Sequence, residues 1–144
     1  IRELPPYDLY LRRGFLDVTL DLDTERLRVI ATHYHHMPRD SDLRQLQTSV
    51  ILDAWNDTPS TVIMGDLNAI SDTPEIRRLA DAGLVDVAAY LYATPQLSFR
   101  ADTPSARIDY IWVSEDLVPI YLSVPESTAS DHLPVIATID FTSE

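Results

Sequence analysis

The stretch "TVIMGDLNAI" (61–70) decides the fold, because a continuous apolar run passes directly into an acid and an amide. The run 61–65 is short and rich in β-formers, which predicts a central strand. A buried carboxylate without a partner costs several kcal/mol, so Asp66 needs a partner group or a metal. Loops at strand ends commonly carry functional groups. We therefore predict a functional site at Asp66 and Asn68, with a simple turn stabilised by these side chains as the alternative.

Other strands and helices precede and follow this strand, in the order β-β-α-β-α-β-β-β. "FLDVTLDL" alternates apolar and polar residues and, with "LRVIATHY", predicts a β-hairpin. Pro74 and Gly83 fit the first turn and the stop of a helix whose cap is Thr73. The expected elements are strands 15–22 and 27–34, helix 42–56, strand 61–65, helix 74–83, a loop over 90–106, and strands 107–114, 119–124 and 133–141.

The first predicted helix begins after Asp40 or Ser41, either of which suits an N-cap. Its apolar residues recur at helical spacing, so we expect them to form the buried stripe. This predicted stripe consists of Leu43, Leu46, Val50 and Ala54. Together the elements predict an α+β domain in which helices lie on one face of a mixed sheet.

A second group of polar residues lies within or beside the last strands. Asp109 stands inside "RIDYI", where no turn explains a charge, so we expect either an ion pair with Arg107 or Arg100, or a histidine partner. Neighbouring side chains of an extended chain point in opposite directions. Asp131 therefore cannot orient the adjacent His132, and Asp109 is the candidate acid for that role.

Histidines also cluster at the end of the strand 27–34. Alternation places His33 and His35 on one face, which is compatible with metal binding. Two histidines without a nearby third ligand are a weak zinc signal, and a lone histidine is more often structural. A ligand-binding histidine cluster that includes His36 and is unrelated to phosphate remains an alternative.

The composition narrows the classes of function. The chain has 144 residues, a net charge of −12 and no cysteine, which excludes disulfides and thiolate chemistry and argues against a broad basic face for nucleic acid. Its longest apolar runs are far shorter than the ~18 residues of a membrane span. The first 14 residues contain no apolar h-region, so residues 1–144 carry no recognisable signal peptide and indicate no compartment.

Several strings, in this order along the chain, resemble the endonuclease/exonuclease/phosphatase superfamily of metal-dependent phosphoesterases. They are "RRGFLDVTL", "RVIATHY", a helix with Arg44 and Gln47, "TVIMGDLNA", "RIDYIWVS" and "SDHLPVIATI". The resemblance implies the C-terminal part of a DNase I-like four-layer α/β/β/α sandwich, with a mixed, mostly antiparallel sheet. It also implies hydrolysis of a phosphodiester or phosphomonoester.

The resemblance implies a role for each matching residue. His132 would act as acid/base or charged stabiliser on the phosphate, oriented by Asp109, and Asp66 would position or deprotonate the water. Asn68 and His33 would contact the phosphoryl group. Asp131, together with Asp66, would be a ligand for Mg²⁺ or Mn²⁺, which prefer oxygen donors.

The match also lacks parts of the family pattern. The first half of the family fold normally supplies an Asn and a metal-binding Glu in a QE-type string, and in this sequence no Glu follows a Gln. We therefore expect residues 1–144 to form a single, truncated C-terminal domain that binds metal weakly and has little activity alone. Expected partners are a phosphate-ester substrate (a small molecule, lipid headgroup or nucleic acid) and either a second copy or a docked N-terminal half that covers an exposed apolar face. A non-catalytic binding or scaffold domain is the alternative function.

Overall fold

The computed structural model describes residues 1–4 and 12–142, and its helices lie between strands in the middle of the chain. In order they are β1 (Arg2–Glu3), β2 (Gly14–Leu22), β3 (Glu25–His33), α1 (Ser41–Trp55), β4 (Thr61–Asp66), α2 (Pro74–Asp81), β5 (Val85–Asp86), α3 (Val87–Tyr90), β6 (Asp109–Val113), β7 (Leu117–Ser123) and β8 (Ile136–Phe141).

The main sheet has six strands in the order β1-β2-β3-β4-β6-β5. The pair β3–β4 is parallel and the other neighbouring pairs are antiparallel. The register places His33 beside Asp66, and Asp66 beside Asp109. Three strand ends therefore bring their polar residues to one edge of the sheet.

Different layers cover the two faces of this sheet. The helices α1 and α2 pack on one face, where Ile51 and Ile76 join a core cluster with the strand residues Ile30, Ile63 and Trp112. A separate two-stranded sheet, β7–β8, packs against Val62 and Val113 in a second cluster. The domain is therefore α+β, with a mixed, mostly antiparallel sheet as the sequence predicts.

The small sheet leaves part of that second face open. The register aligns Leu16 with Ala31, Ala31 with Met64 and Met64 with Ile111, so these four residues form one row across the sheet. Exposed apolar side chains lie on this face, with between 38% and 46% of their surface accessible: Leu16, Leu20, Leu22 and Met64. We call them the open apolar face. Its exposure agrees with the expectation of an uncovered apolar surface.

The predicted apolar stripe of α1 is only partly right, because Val50 and Ala54 pack against the core cluster but Leu46 is exposed. Leu46 is 46% exposed, whereas the buried residues of α1 are Arg44, Gln47, Thr48, Ile51 and Trp55. The reason is a buried ion pair, in which Arg44 Nε donates to Glu75 Oε1 at 2.6 Å. Arg44 is 3% exposed and Glu75 is not exposed at all. This pair turns a polar side of α1 towards α2, and no hydrophobic pattern indicates it.

The predicted boundaries differ from the structure mainly at short elements. The sequence analysis did not predict β1, β5 or α3, because two to four residues carry no periodicity. Asp40 and Thr73 occupy the N-cap positions of α1 and α2, but neither side chain makes a capping hydrogen bond. Among the described helices, none combines the length and apolar character that crossing a bilayer requires.

Candidate active site

Asp66 reaches the site because β4 approaches β3 unusually closely at Gly65. That glycine has φ +142°, and a Cβ there would lie 1.8 Å from the carbonyl oxygen of Thr32. Asn68 then adopts a left-handed conformation with φ 48°. Its backbone N–H donates to Asp66 Oδ1 at 2.8 Å and its Nδ2 donates to Oδ2 at 3.2 Å. The turn that the sequence offered as an alternative is therefore present, and it holds the Asp66 carboxylate in place.

Two histidines lie close to the same carboxylate. His33 Nε2 is 3.2 Å from Asp66 Oδ2, and His132 Nε2 is 4.0 Å from the same oxygen. The Asn68 side chain also donates to the carbonyl of Tyr34 at 3.1 Å, which ties the turn to the end of β3. Residues far apart in the chain thus converge on one oxygen atom.

Asp109 is the acid that orients His132. The Nδ1 atom of His132 lies 2.8 Å from Asp109 Oδ2, which leaves Nε2 directed towards Asp66. The alternative ion pairs of Asp109 do not form, because Arg107 pairs with Asp86 and Arg100 pairs with Asp102. The predicted Asp109–His132 contact is thus present.

The segment 94–106 supports this pair of residues. Ser98 Oγ donates to Asp109 Oδ2 at 2.6 Å, and the Ser98 carbonyl accepts from Leu133 N at 2.7 Å. The ring of Phe99 packs at a centroid distance of 4.8 Å against His132. Ser98 was missed from the sequence, since a serine in an irregular loop carries no signal of its partner. The loop therefore positions Asp109 and His132 relative to each other.

These contacts change the acidity of His132. Burial lowers its pKa, but the hydrogen bond that Nδ1–H donates to Asp109 and the charges of Asp109, Asp66 and Asp131 outweigh that effect, so the pKa lies above its ordinary value. The protonated imidazolium is consequently favoured over a wider pH range. In that form, Nε2–H is a charged donor directed into the site.

The convergent residues line an open cleft of about 560 Å³. Its lining comprises Arg13, His33, His36, Asp66, Asn68, Asp109, Ser130, Asp131 and His132. Asp66, Asp109 and His132 each offer a ligand atom, and these atoms lie within 4.8 Å of one another, as a metal site requires. Asp131 lines the cleft but does not belong to that group.

His35 does not join the site, and the prediction that it shares a face with His33 is wrong. β3 ends at His33, so the alternation of an extended strand does not continue. His35 is buried, with Nε2 2.9 Å from Asp40 Oδ2, and its backbone N–H donates to Gln47 Oε1 at 2.9 Å. His35 therefore anchors the loop to α1, whereas His36 lines the cleft.

Solved structures resemble the chain over almost its full length. An endonuclease/exonuclease/phosphatase from Beutenbergia cavernae DSM 12333 is 23% identical, with a TM-score of 0.73 over 91% of this chain and 40% of that one. The human Nocturnin catalytic domain with bound sulfate anion is 19% identical, with a TM-score of 0.79 over 98% and 57%. The mannosyl-6-phosphatase Bt3783 of Bacteroides thetaiotaomicron VPI-5482 is 19% identical, with a TM-score of 0.75 over 94% and 60%.

At these identities the likeness shows the fold, which is DNase I-like. The chain spans roughly half the length of these proteins, between 40% and 60% of each. No curated protein matches the sequence. The model of the Endonuclease/Exonuclease/phosphatase family matches residues 2–132, and the chain therefore belongs to the endonuclease/exonuclease/phosphatase family.

Proposed function

We propose that this chain supplies the greater part of a phosphoesterase active site, which hydrolyses a phosphodiester or phosphomonoester. One observation carries the proposal: an imidazole oriented by a carboxylate, His132–Asp109, faces a second carboxylate, Asp66, at 4.0 Å. Hydrolysis of a phosphate ester needs a positioned water, stabilisation of the phosphoryl oxygens and protonation of the leaving group. The cleft has side chains suited to each of these requirements.

The roles follow from the chemistry of each group. Protonated His132, whose pKa is raised, donates from Nε2 to a phosphoryl oxygen or to the leaving group. Asp66 orients or deprotonates the attacking water, and Asn68 donates its amide to the phosphoryl group. His33, whose Nε2 lies 3.2 Å from Asp66 Oδ2, provides a further donor to the phosphate.

A divalent cation such as Mg²⁺ or Mn²⁺ suits the oxygen-rich lining of the cleft. Asp66 and Asp131 are the residues that would hold it: both line the cleft, whereas the Oδ2 atom of Asp109 already accepts from Ser98 and contacts His132. When bound, such an ion would polarise a phosphoryl oxygen. The protein residues would still orient the phosphate and move the protons.

Hydrolysis of p-nitrophenyl phosphate and of bis(p-nitrophenyl) phosphate tests the proposal. It should be measured with Mg²⁺ and with Mn²⁺, on this chain and on any longer protein that contains it. We expect His132→Ala to lower the rate by about 10²–10⁴-fold, the usual contribution of a general acid or base. Asp140→Asn is the control, because Asp140 is an exposed residue of β8 outside the cleft lining.

The outcomes separate the two candidate functions. Equal rates for His132→Ala and the parent protein would refute the assigned roles. No hydrolysis under any metal condition, even in the longer protein, would favour the non-catalytic scaffold. The two substrates distinguish a phosphomonoesterase from a phosphodiesterase, and both outcomes are compatible with the site.

A further inference from the structure

Arg13 is an arginine of the cleft that has no carboxylate partner among the described residues. All 11 basic side chains of the protein are arginines, and the buried or half-buried ones Arg28, Arg44 and Arg107 each pair with an acid. Arg13 lines the cleft, and its Nε is buried without a hydrogen-bond partner within residues 1–4 and 12–142. A buried donor that lacks a partner costs free energy, so this guanidinium is suited to an incoming acceptor.

The backbone around Arg13 is fixed on both sides. The Arg13 carbonyl accepts from Leu4 N at 2.8 Å, and the next residue, Gly14, accepts from Thr32 Oγ1 at 3.2 Å. Since β2 pairs with β3 from Phe15 and Thr32 onwards, Arg13 stands at the end of the sheet where β3 delivers His33. Its guanidinium therefore belongs to the same edge of the sheet as the candidate catalytic groups.

The charge of the cleft indicates what this arginine binds. Three carboxylates line it, those of Asp66, Asp109 and Asp131, and they would repel a phosphate ester. A guanidinium stays charged at every relevant pH and presents two parallel N–H donors, which match two oxygens of one phosphoryl group. Arg13 supplies this fixed positive charge on the wall of the cleft.

We propose that Arg13 binds the non-bridging oxygens of the substrate's phosphoryl group and so determines affinity for phosphate esters. The inference rests on the proposed function, which names the ligand. The adjacent Arg12 is a matched control, because its side chain is exposed and lies 3.4 Å from Glu3 Oε1, outside the cleft lining.

Titration of the chain with inorganic phosphate, followed by NMR, tests this proposal without requiring activity. The probes are the Arg13 Nε–H resonance, identified by its loss in Arg13→Gln, and the Cε1–H resonance of His132. Divalent metal is left out, so that any phosphate bound is held by the protein. Dimethyl phosphate in a second titration distinguishes a diester from the terminal phosphate of a monoester.

In the parent protein we expect both resonances to shift along one binding curve. Arg13→Gln should bind phosphate about tenfold more weakly or worse, as for the loss of a charge-assisted pair. Arg12→Gln should keep the parent affinity. Arg13→Lys keeps the positive charge but lacks the paired donors, so we expect it to weaken binding as well. It also provides a second variant in case Arg13→Gln does not fold.

Two results would overturn the proposal. In the first, phosphate shifts the His132 resonance with equal affinity in the parent protein and in both Arg13 variants. In the second, the Arg13 resonance does not respond to phosphate at all. Either result leaves the proposed hydrolysis standing, since that depends on His132. Conversely, an Arg13 response combined with no hydrolysis under any metal condition, even in the longer protein, would refute the enzyme and retain the anion site.

Discussion

Replacing Ser98 by alanine tests whether the loop positions the acid of the candidate active site. The Ser98 side chain is fully buried, and its hydroxyl donates to Asp109 Oδ2 at 2.6 Å. A hydrogen bond to a charged group contributes about 1.5–3 kcal/mol, and alanine leaves almost no cavity. We therefore expect the free energy of unfolding to fall by about 1.5–3 kcal/mol, which lowers Tm by roughly 5–9 °C for a domain of this size.

A purely structural role of Ser98 would change stability alone, so the pKa of His132 provides a second measurement. The contact with Asp109 helps to raise that pKa. Without the serine hydroxyl the carboxylate can turn away from Nδ1, and we expect the pKa of His132 to move down towards its ordinary value. An NMR titration of the His132 Cε1–H resonance measures this change.

Ser105→Ala provides the matched control, because Ser105 is an exposed serine in the same loop. It should change neither the unfolding free energy nor the pKa of His132. If Ser98→Ala likewise leaves both unchanged, Ser98 does not hold Asp109 and the positioning role is refuted.

Four further predictions follow from the described contacts. Glu75→Gln should lower the free energy of unfolding by about 3–5 kcal/mol in urea titrations, because it leaves the buried Arg44 charge uncompensated; a loss under about 1 kcal/mol would mean that the pair behaves like a surface pair. Because the pKa of His132 is raised in the folded protein, protonation of this histidine stabilises the fold. The stabilisation is complete below the unfolded pKa and is lost as the pH rises through the folded pKa. The free energy of unfolding should therefore be lower at about pH 9 than at about pH 6, and this difference should be smaller in Asp109→Asn. Calorimetry should find weak binding of Mg²⁺ and Mn²⁺, because no Glu of a QE-type string joins the acids of the cleft, and tight binding would contradict this expectation. Sedimentation should show a homodimer or a docked partner on the open apolar face, and a monodisperse monomer would count against it.

The sequence indicates the site at the point where an apolar strand pattern ends in an acid and an amide. The segment 61–65 reads as a central strand because its first residues are covered on both faces, as the burial of Val62 and Ile63 shows, although Met64 on the open apolar face is 38% exposed. The Asp109–His132 contact was predictable for a geometric reason: neighbours along an extended chain cannot pair, so His132 needed a distant acid. Both inferences depend only on local backbone geometry and on the cost of burying charge.

The sequence could not indicate pairs that depend on tertiary packing. Arg44 and Glu75 are separated by 31 positions, and each alone resembles a solvent-exposed helix residue. Ser98 likewise gains its role only when the loop folds against Asp109 and His132. The alternation rule failed at His35 because Tyr34 N donates to the Asp66 carbonyl at 2.9 Å, beyond which the chain leaves the sheet.

The register links the candidate active site to the open apolar face. His33 lies two residues after Ala31, Asp66 lies two residues after Met64, and Asp109 lies two residues before Ile111, the three neighbours of one cross-strand row. Because side chains two apart share a face, the catalytic candidates continue that face at a distance of about 7 Å along the strands.

Asp109 accordingly lines both the cleft and an apolar groove of about 320 Å³ that includes Met64 and Ile111. A polypeptide that covers the apolar row therefore lies beside the cleft. Coverage of this face and the surroundings of the candidate active site are consequently linked by the geometry of one sheet.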